Sequence, residues 1–464
     1  MRFSLLDEMQ CSCGCRELQV DGVVTGEAAL QPDDEAACGQ YCGFVRRPRS
    51  EVKPEDCLRC RRLEVLQGVI RCDCGRNWQI VGGIPGFSRD LLSGGNGSGP
   101  RVIETDPAAD PRWERFVTRH ANGTIYHHPL WLQALEVEYS RRRINLACEG
   151  PNGRLLAILP LFYTRGLPFG TRGQITGRRL ASLPRTPLGG PLSIDQDATV
   201  ALLKTAVELA RREPGVQIQL KTQSMEFDGL APDLACTPWR HSYVLDLSGD
   251  PERPQCSNSL QRHRVKWAVN KAIKLGLAVR EAETESELRA WYPLYLDTMR
   301  RNVVPPRPYR FFAALWKLLR PAGLMRLVLA DRVEGGQSRT VAGSILVSYA
   351  HTASYIFTGS KKQDLLLHPN DLIQWHAIHE AARRGLHWYD FGEVPEDHQQ
   401  LTLFKSKWGA EPIQLYRYYY PRPLVTAAPA PTRTGLLRSL AAAGWKHLPL
   451  SATAALGERI YSYL

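Results

Sequence analysis

The sequence predicts an α+β chain built as two similar halves in tandem behind a small cysteine-rich domain. Three observations carry that expectation. Nine of the 12 cysteines fall within the first 74 residues. A Gly/Ser run, "LLSGGNGSGPR" at 91–101, then interrupts the chain as a flexible linker. Behind it, the order helix, antiparallel strands, helix, strand is written twice. The boundaries that follow are a Cys-rich domain at 1–92, a linker at 93–109, a first α/β domain at 110–245, a second at 246–423, and a Pro/Ala linker with an amphipathic tail at 424–464.

In the first half, Trp131 to Tyr139 reads as helix, and "RRINLACEG" and "RLLAILPLFY" read as strands joined by a turn at Pro151 to Gly153. Residues 198–212 form a helix with Val200, Leu203, Val207 and Ala210 on one stripe, and "VQIQLKT" alternates as a strand. In the second half, "FFAALWKLL" is helical, and "MRLVLADRV" and "TVAGSILVSYAHTASYIFTGS" supply three strands. "DLIQWHAIHEAARRGL" is a helix and "HWYDFGE" a strand.

The net charge of +12 is unevenly spread: residues 1–100 hold 12 Lys+Arg against 14 Asp+Glu, leaving 47 against 33 for the rest. Such a field favours anionic partners: nucleic acid, nucleotide-linked substrates or an acidic membrane surface. A solvated basic surface is the competing reading. The start, "MRFSLLDEMQCSC", lacks the apolar core of a signal peptide, and no run approaches the roughly 20 apolar residues that span a bilayer. A cytoplasmic location is therefore expected, at the inner membrane face if the tail engages lipid.

"CLRCRRLEVLQGVIRCDCGRNWQIVGGIPGF" carries Cys57 and Cys60 as one knuckle and Cys72 and Cys74 as a second, separated by a short hairpin's length of chain. Four thiolates brought together can close a structural zinc site. The stretch resembles a Trm112-like zinc ribbon, including its "GIP", but has CxC at the second knuckle where CxxC is usual. Cys11, Cys13, Cys15, Cys38 and Cys42 are alternative donors, and free thiols on a metal-free ribbon are the competing reading. An all-Cys site is closed to substrate, so this domain suits a protein partner better than catalysis.

"LQRHRVKWAVNKAIKLG", "YLDTMRRNVVPPRPYRFF", "HPNDLIQWHAIHEAARRGLHWYDFGE" and "FKSKWGA", in that order, resemble the FemAB family, in which two GNAT-like acyltransferase domains are fused. The resemblance covers about residues 110 to 423, the first half in pattern only. It implies two GNAT-like α/β domains and transfer of an acyl group to an amine acceptor. The group is often aminoacyl from a charged tRNA, and cell-envelope precursors are the best-known acceptors.

Within that resemblance, Phe404, Lys405, Trp408 and Gly409 match an F-K-x-x-[FW]-G signature. It implies that Lys405 lies where donor ester and acceptor amine meet. A fixed ammonium in a partly dry cleft stabilises the oxyanion of ester aminolysis, and Phe404, Lys407 and Trp408 would shape that cleft. The competing reading is a turn in which Trp408 is core and both lysines are solvated. Glu393 is the candidate base, and Asp390 holds its turn. Tyr295, Asp297 and Arg300 are candidates for the acceptor pocket. His376 and His379, at i and i+3, read as helix-surface or packing residues.

The donor is expected to be anionic, aminoacyl-tRNA or an acyl thioester. A coenzyme A cradle is a Gly-rich turn opening a helix. In the second half, "KKQDLLLHPND" stands there without a glycine, with Pro369 and an Asn370 N-cap starting the helix. In the first half, Gly189 and Gly190 read as turn residues. Arg262, Arg264 and Lys266, with Lys271 and Lys274, could instead meet phosphates along a helix over 260–275, packed through Leu260, Trp267, Val269 and Ile273. Two rivals stand: a thioester-dependent N-acyltransferase, and a non-catalytic scaffold that holds RNA or a partner. The tail, with Pro449 interrupting any helix, docks on the body or lies at a membrane surface.

Overall fold

The computed structural model describes residues 100–139, 143–165, 178–213, 215–231, 234–248, 259–396, 398–421 and 442–461. Before residue 100 it describes only the strands Leu18–Glu27, Tyr41–Cys42, Arg47–Pro48, Leu63–Cys72, Asn77–Val81 and Ile84–Pro85, without their side chains except for buried Ile70. There, the expected hairpin between Cys60 and Cys72 is replaced by one ten-residue strand, Leu63–Cys72. It pairs antiparallel with Leu18–Glu27 on one side and Asn77–Val81 on the other. Cys72 closes that strand; Cys57, Cys60 and Cys74 lie outside the described residues.

The body is a single 13-stranded sheet. Its strands are β1 (Arg101–Glu104), β2 (Arg143–Glu149), β3 (Leu155–Thr164), β4 (Arg178–Ala181), β5 (Leu192–Ser193), β6 (Val216–Thr222) and β7 (Ala235–Asp246). They continue with β8 (Leu277–Glu281), β9 (Met325–Glu334), β10 (Gln337–Tyr349), β11 (Thr352–Ser360), β12 (Trp388–Val394) and β13 (Glu411–Tyr420). The order across the sheet is β8-β9-β10-β11-β12-β7-β13-β6-β4-β3-β2-β1, with β5 beside β3.

The two halves interlock at its centre. β7, from the first half by sequence, pairs with β12; β13, from the second, pairs with β6. β7 and β13 pair with each other, so backbone hydrogen bonds run unbroken from one half into the other.

Each half contains one parallel pair that starts together and then diverges. β11 and β12 are in register only from Thr352↔Trp388 to Ser354↔Asp390, and β4 and β6 only from Arg178↔Val216 to Ala181↔Gln219. Where such strands part, their facing N–H and C=O groups need other partners. Both clefts are met by a buried lysine, as described below.

Strand residues alternate between two cores, as the period of two requires. Leu327 and Leu329 face a core shared by both halves. It is covered by α1 (Pro111–Arg119), α2 (Pro129–Tyr139), α5 (Glu285–Arg301) and α6 (Tyr309–Leu319). Val328 and Ala330 face the opposite side, under α4 (Ser259–Lys274) and α7 (Pro369–Arg383). α3 (Gln196–Arg211) covers the first half on that side through Ala198, Leu202, Leu203, Ala206, Val207 and Ala210. The expected stripe there was nearly right; Val200 sits at its half-buried edge.

A buried pair ties the halves across the shared core. Glu138 of α2 accepts from Arg307, whose other terminal nitrogen donates to the Arg185 carbonyl at 2.7 Å. Burial pushes the Glu138 carboxyl up to about 7, against the pull of Arg307. The described part of the tail docks over this junction as α9 (Leu450–Tyr461). Tyr461 accepts from Arg185 at 3.0 and 3.1 Å, and a Cβ on Gly457 would stand 2.6 Å from Pro306. No described helix is long and apolar enough to cross a membrane.

Candidate active site

"LTLFKSKWGA" is neither a strand nor a loop: residues 399–406 form a short helix, α8 (Gln399–Ser406). His398 caps it through Nδ1 and the Leu401 N–H, and Gly409 turns the chain at φ 88° into β13. Trp408 is fully buried beneath the sheet, which settles it as core.

Lys405 points inward and is 4% exposed. Its ammonium donates to the carbonyls of Phe391 (2.6 Å), Gly392 (2.7 Å) and Glu393 (3.3 Å). All three are in the part of β12 that has left β11. The resemblance placed this ammonium against the reacting carbonyl; in the structure its three N–H groups are directed at backbone oxygens one layer beneath. Burial pushes Lys405 down to about 8, with Asp390 and Glu393 acting in the opposite sense. Lys221 does the same in the first half, donating to the Leu183 and Thr186 carbonyls at 2.7 and 3.0 Å.

Asp390 is buried and holds the turn as expected, accepting from Ser242 Oγ and the Gly392 N–H, each at 2.8 Å. Gly392, at φ 77°, allows β12 to swing away from β11. That swing carries Glu393 to the sheet surface, where its side chain is 28% exposed. Trp239 Nε1 donates to Glu393 Oε2 at 3.1 Å, and Arg240 lies 3.4 Å from Oε1. The Arg417 guanidinium lies 3.4 Å from the Trp239 ring centre, and that of Arg240 lies 4.9 Å from the same ring. Burial works against the Arg417 charge, while Tyr419 and Glu393 favour it. Burial also pushes the Tyr126 phenol up, with Asp390 and Glu393 near enough to add to the effect.

A carboxylate, two guanidiniums and an indole therefore meet where the two halves join. The sequence pointed to Glu393 but missed Trp239, Arg240 and Arg417. They come from β7 and β13, and only the exchange of these strands between halves brings them to β12.

The other expected site residues lie elsewhere. Tyr295 is buried in the shared core, its hydroxyl accepting from the Arg307 N–H at 3.0 Å, so it lines no acceptor pocket. Asp297 pairs with Arg300 and Arg301, and Arg300 donates to the tail carbonyl of Leu448 at 2.9 Å. That pair anchors the tail. Lys407 is ion-paired to Asp371 and stacks on Phe404, with its Nζ 4.4 Å from the ring centre. Arg262, Arg264 and Lys266 are exposed on α4, where Trp267 and Ile273 are also exposed; Val269 packs as expected, joined by Val265, Ala268 and Ala272.

α7 starts two residues earlier than expected, with His368 rather than Asn370 at the N-cap and Pro369 following it. In the first half a Cβ on Gly190 would stand 2.8 Å from the Lys221 carbonyl, and one on Gly189 2.6 Å from Leu183. Those glycines serve close packing. Among the described residues, no group of three or more His, Cys, Asp or Glu is placed to hold a metal ion.

Residues 259–400 match the family of acetyltransferase (GNAT) domains. The crystal structure of FemX is similar in fold, with a TM-score of 0.51 at 16% identity, over 70% of this chain and 98% of that one. L-PGS from Bacillus licheniformis has a TM-score of 0.44 at 14% identity, over 75% and 99%. A tandem GNAT protein from the clavulanic acid biosynthesis pathway has a TM-score of 0.40 at 11%, over 72% and 100%. A search of curated proteins gave no match. Residues 259–400 thus match the acetyltransferase (GNAT) domain family, and the mixed α/β fold of the chain is similar to that of FemX.

Proposed function

We propose that the chain moves an aminoacyl or acyl group from an anionic donor to an amine acceptor of the cell-envelope kind, at the cluster of Trp239, Arg240, Glu393 and Arg417. The observation that carries this reading is the half-exposed Glu393 carboxylate, fixed by an indole N–H beside two guanidiniums. In aminolysis the amine nitrogen forms the new C–N bond, and Glu393 accepts its proton. The oxyanion then collapses, the C–O bond to the donor breaks, and the leaving oxygen takes up a proton. Arg240 and Arg417 supply positive charge for the donor and the developing oxyanion. Lys405 acts beneath them, as a positioning residue that fixes the backbone at 391–393.

Aminoacyl-tRNA fits the donor role better than an acyl thioester. No glycine turn opens α7, and Lys405 already occupies three carbonyls on the diverging edge of β12. Parallel titrations with bulk tRNA and acetyl-coenzyme A test this. Expected is tRNA binding that weakens steeply with salt, without coenzyme A binding. Coenzyme A binding alone would make the thioester-dependent reading correct. Retained tRNA binding without transfer to any amine would leave a scaffold.

For the Cys-rich domain we propose a structural zinc ion and a protein partner. Strand Leu63–Cys72 spans about 30 Å at 3.3 Å per residue. Only three residues, at most about 11 Å of chain, separate Cys60 from Leu63. With that strand extended, Cys60 therefore cannot share an ion with Cys72, and each pair would take its remaining thiolates from among Cys11, Cys13, Cys15, Cys38 and Cys42. Zinc content of purified Cys60→Ser and Cys72→Ser separates the cases. Partial loss in both means an ion at each pair; loss in one alone means the other pair takes no part. Native protein without zinc would remove the proposal.

A further inference from the structure

Helix α4 and the 3₁₀ turn Lys362–Leu367 before α7 form one exposed face that the acyl-transfer chemistry does not use. α4 contains no acidic residue, and its Arg262, Arg264, Lys266 and Lys274 are all exposed. In the turn, Lys361 and Lys362 are exposed, while the one acid, Asp364, is buried and neutralised by Arg339 through two bonds of 2.9 Å. The two segments meet where the Trp267 ring packs edge-on to His368, 5.2 Å between centres, with Lys271 Nζ 4.9 Å from the indole.

The apolar residues on this face are the more informative part. Leu366 is 78% exposed and Trp267 58%. Of the twelve large apolar side chains exposed among the described residues, five lie on these segments or at their ends: Trp267, Ile273, Leu275, Leu365 and Leu366. A side chain as exposed as Leu366 or Trp267 gains little from folding, and a contiguous patch of such residues marks a surface that meets a partner or a membrane.

We propose that this face seats the protein on an anionic phospholipid bilayer. The cations of α4 have no acid among them on the helix, which matches acidic headgroups, and a Trp with protruding leucines is suited to the boundary between headgroups and acyl chains. Nucleic acid accounts for the cations and for Trp267 but not for Leu365, Leu366 and Ile273, which have no ring to stack on a base. The docked tail helix α9 is not the contact, because Tyr461 and Thr453 are buried against the body.

Sedimentation of the full-length protein with phosphatidylcholine vesicles, with and without phosphatidylglycerol, tests the proposal. Binding is expected only to the anionic vesicles, weakening as salt rises. Leu366→Ser and Trp267→Ala should each lower it about tenfold, as loss of one buried apolar side chain implies. Lys361→Glu with Lys362→Glu should abolish it. All of these positions are exposed, so the fold is unaffected, and bulk tRNA binding should not change. Glu393→Gln should bind vesicles normally, which separates this inference from the catalytic one. Absence of anionic preference in the native protein, or binding that survives all the variants, overturns it. A fall in tRNA binding in the lysine variant, with vesicle binding unaltered by Leu366→Ser, assigns the face to RNA and overturns it too.

Discussion

Glu393→Gln should lower kcat by roughly 10²–10³-fold, within the usual range for removal of a general base. The exchange keeps the shape and still accepts the Trp239 N–H through the amide oxygen. It removes only the basicity and the charge facing Arg240. Because the side chain is partly exposed and its ion pair with Arg240 is long, stability should change by less than about 1 kcal/mol. The measurement is the rate of acyl transfer to an amine acceptor under saturating substrate. An unaltered kcat would mean that the proton leaves through the substrate or solvent, and Glu393 would then be a ligand of Arg240 only.

The contrast between Glu393 and its missed neighbours shows what a sequence of this kind discloses. Local periodicity was enough for α2, α3, α4, α6 and α7 and for β2, β3, β6 and β9 to β12, since amphipathic spacing acts over a few residues; α1, α5, β7, β8 and β13 were not read from it. It was enough for Asp390 too, because a turn's chemistry is local. Trp239, Arg240 and Arg417 were illegible for the opposite reason. Each sits on a strand with ordinary alternation, and their meeting depends on β7 and β13 changing places between halves. Tyr295 was misjudged because a tyrosine near arginines reads as a polar pocket, whereas here its hydroxyl has one backbone donor and its ring fills the core. Trp267 was misjudged in the other direction: spacing put it among packing residues, and only the orientation of α4 exposes it.

The same distinction bears on the lysine in "FKSKWGA". The resemblance to the FemAB family places Lys405 near the chemistry; geometry sets its manner of acting. Three backbone carbonyls, on a strand that has left its parallel partner, would face a dry interior if Lys405 were absent. Each buried and unmet polar group costs about 1–3 kcal/mol, partly offset because an ammonium no longer has to be desolvated. Lys405→Met, similar in length and apolar, should therefore destabilise the fold by roughly 3 kcal/mol in denaturant unfolding. It should also lower kcat more than it raises KM, because the backbone that aims Glu393 loosens.

The pH dependence of that destabilisation separates the two terms. Lys405 loses its proton near 8 in the fold, and near 10.5 when unfolded. Between those values the unfolded chain holds a proton that the native state has released, so raising the pH favours the native state. The native protein should gain on Lys405→Met by up to about 1.4 kcal/mol per pH unit between pH 8 and 10. A gap that stays flat over this range and narrows only above about 10.5 would mean that the carbonyls stabilise the charged form more than burial disfavours it. Lys405 would then be a permanent cation beneath the site, with a charge available to the oxyanion through the backbone it holds.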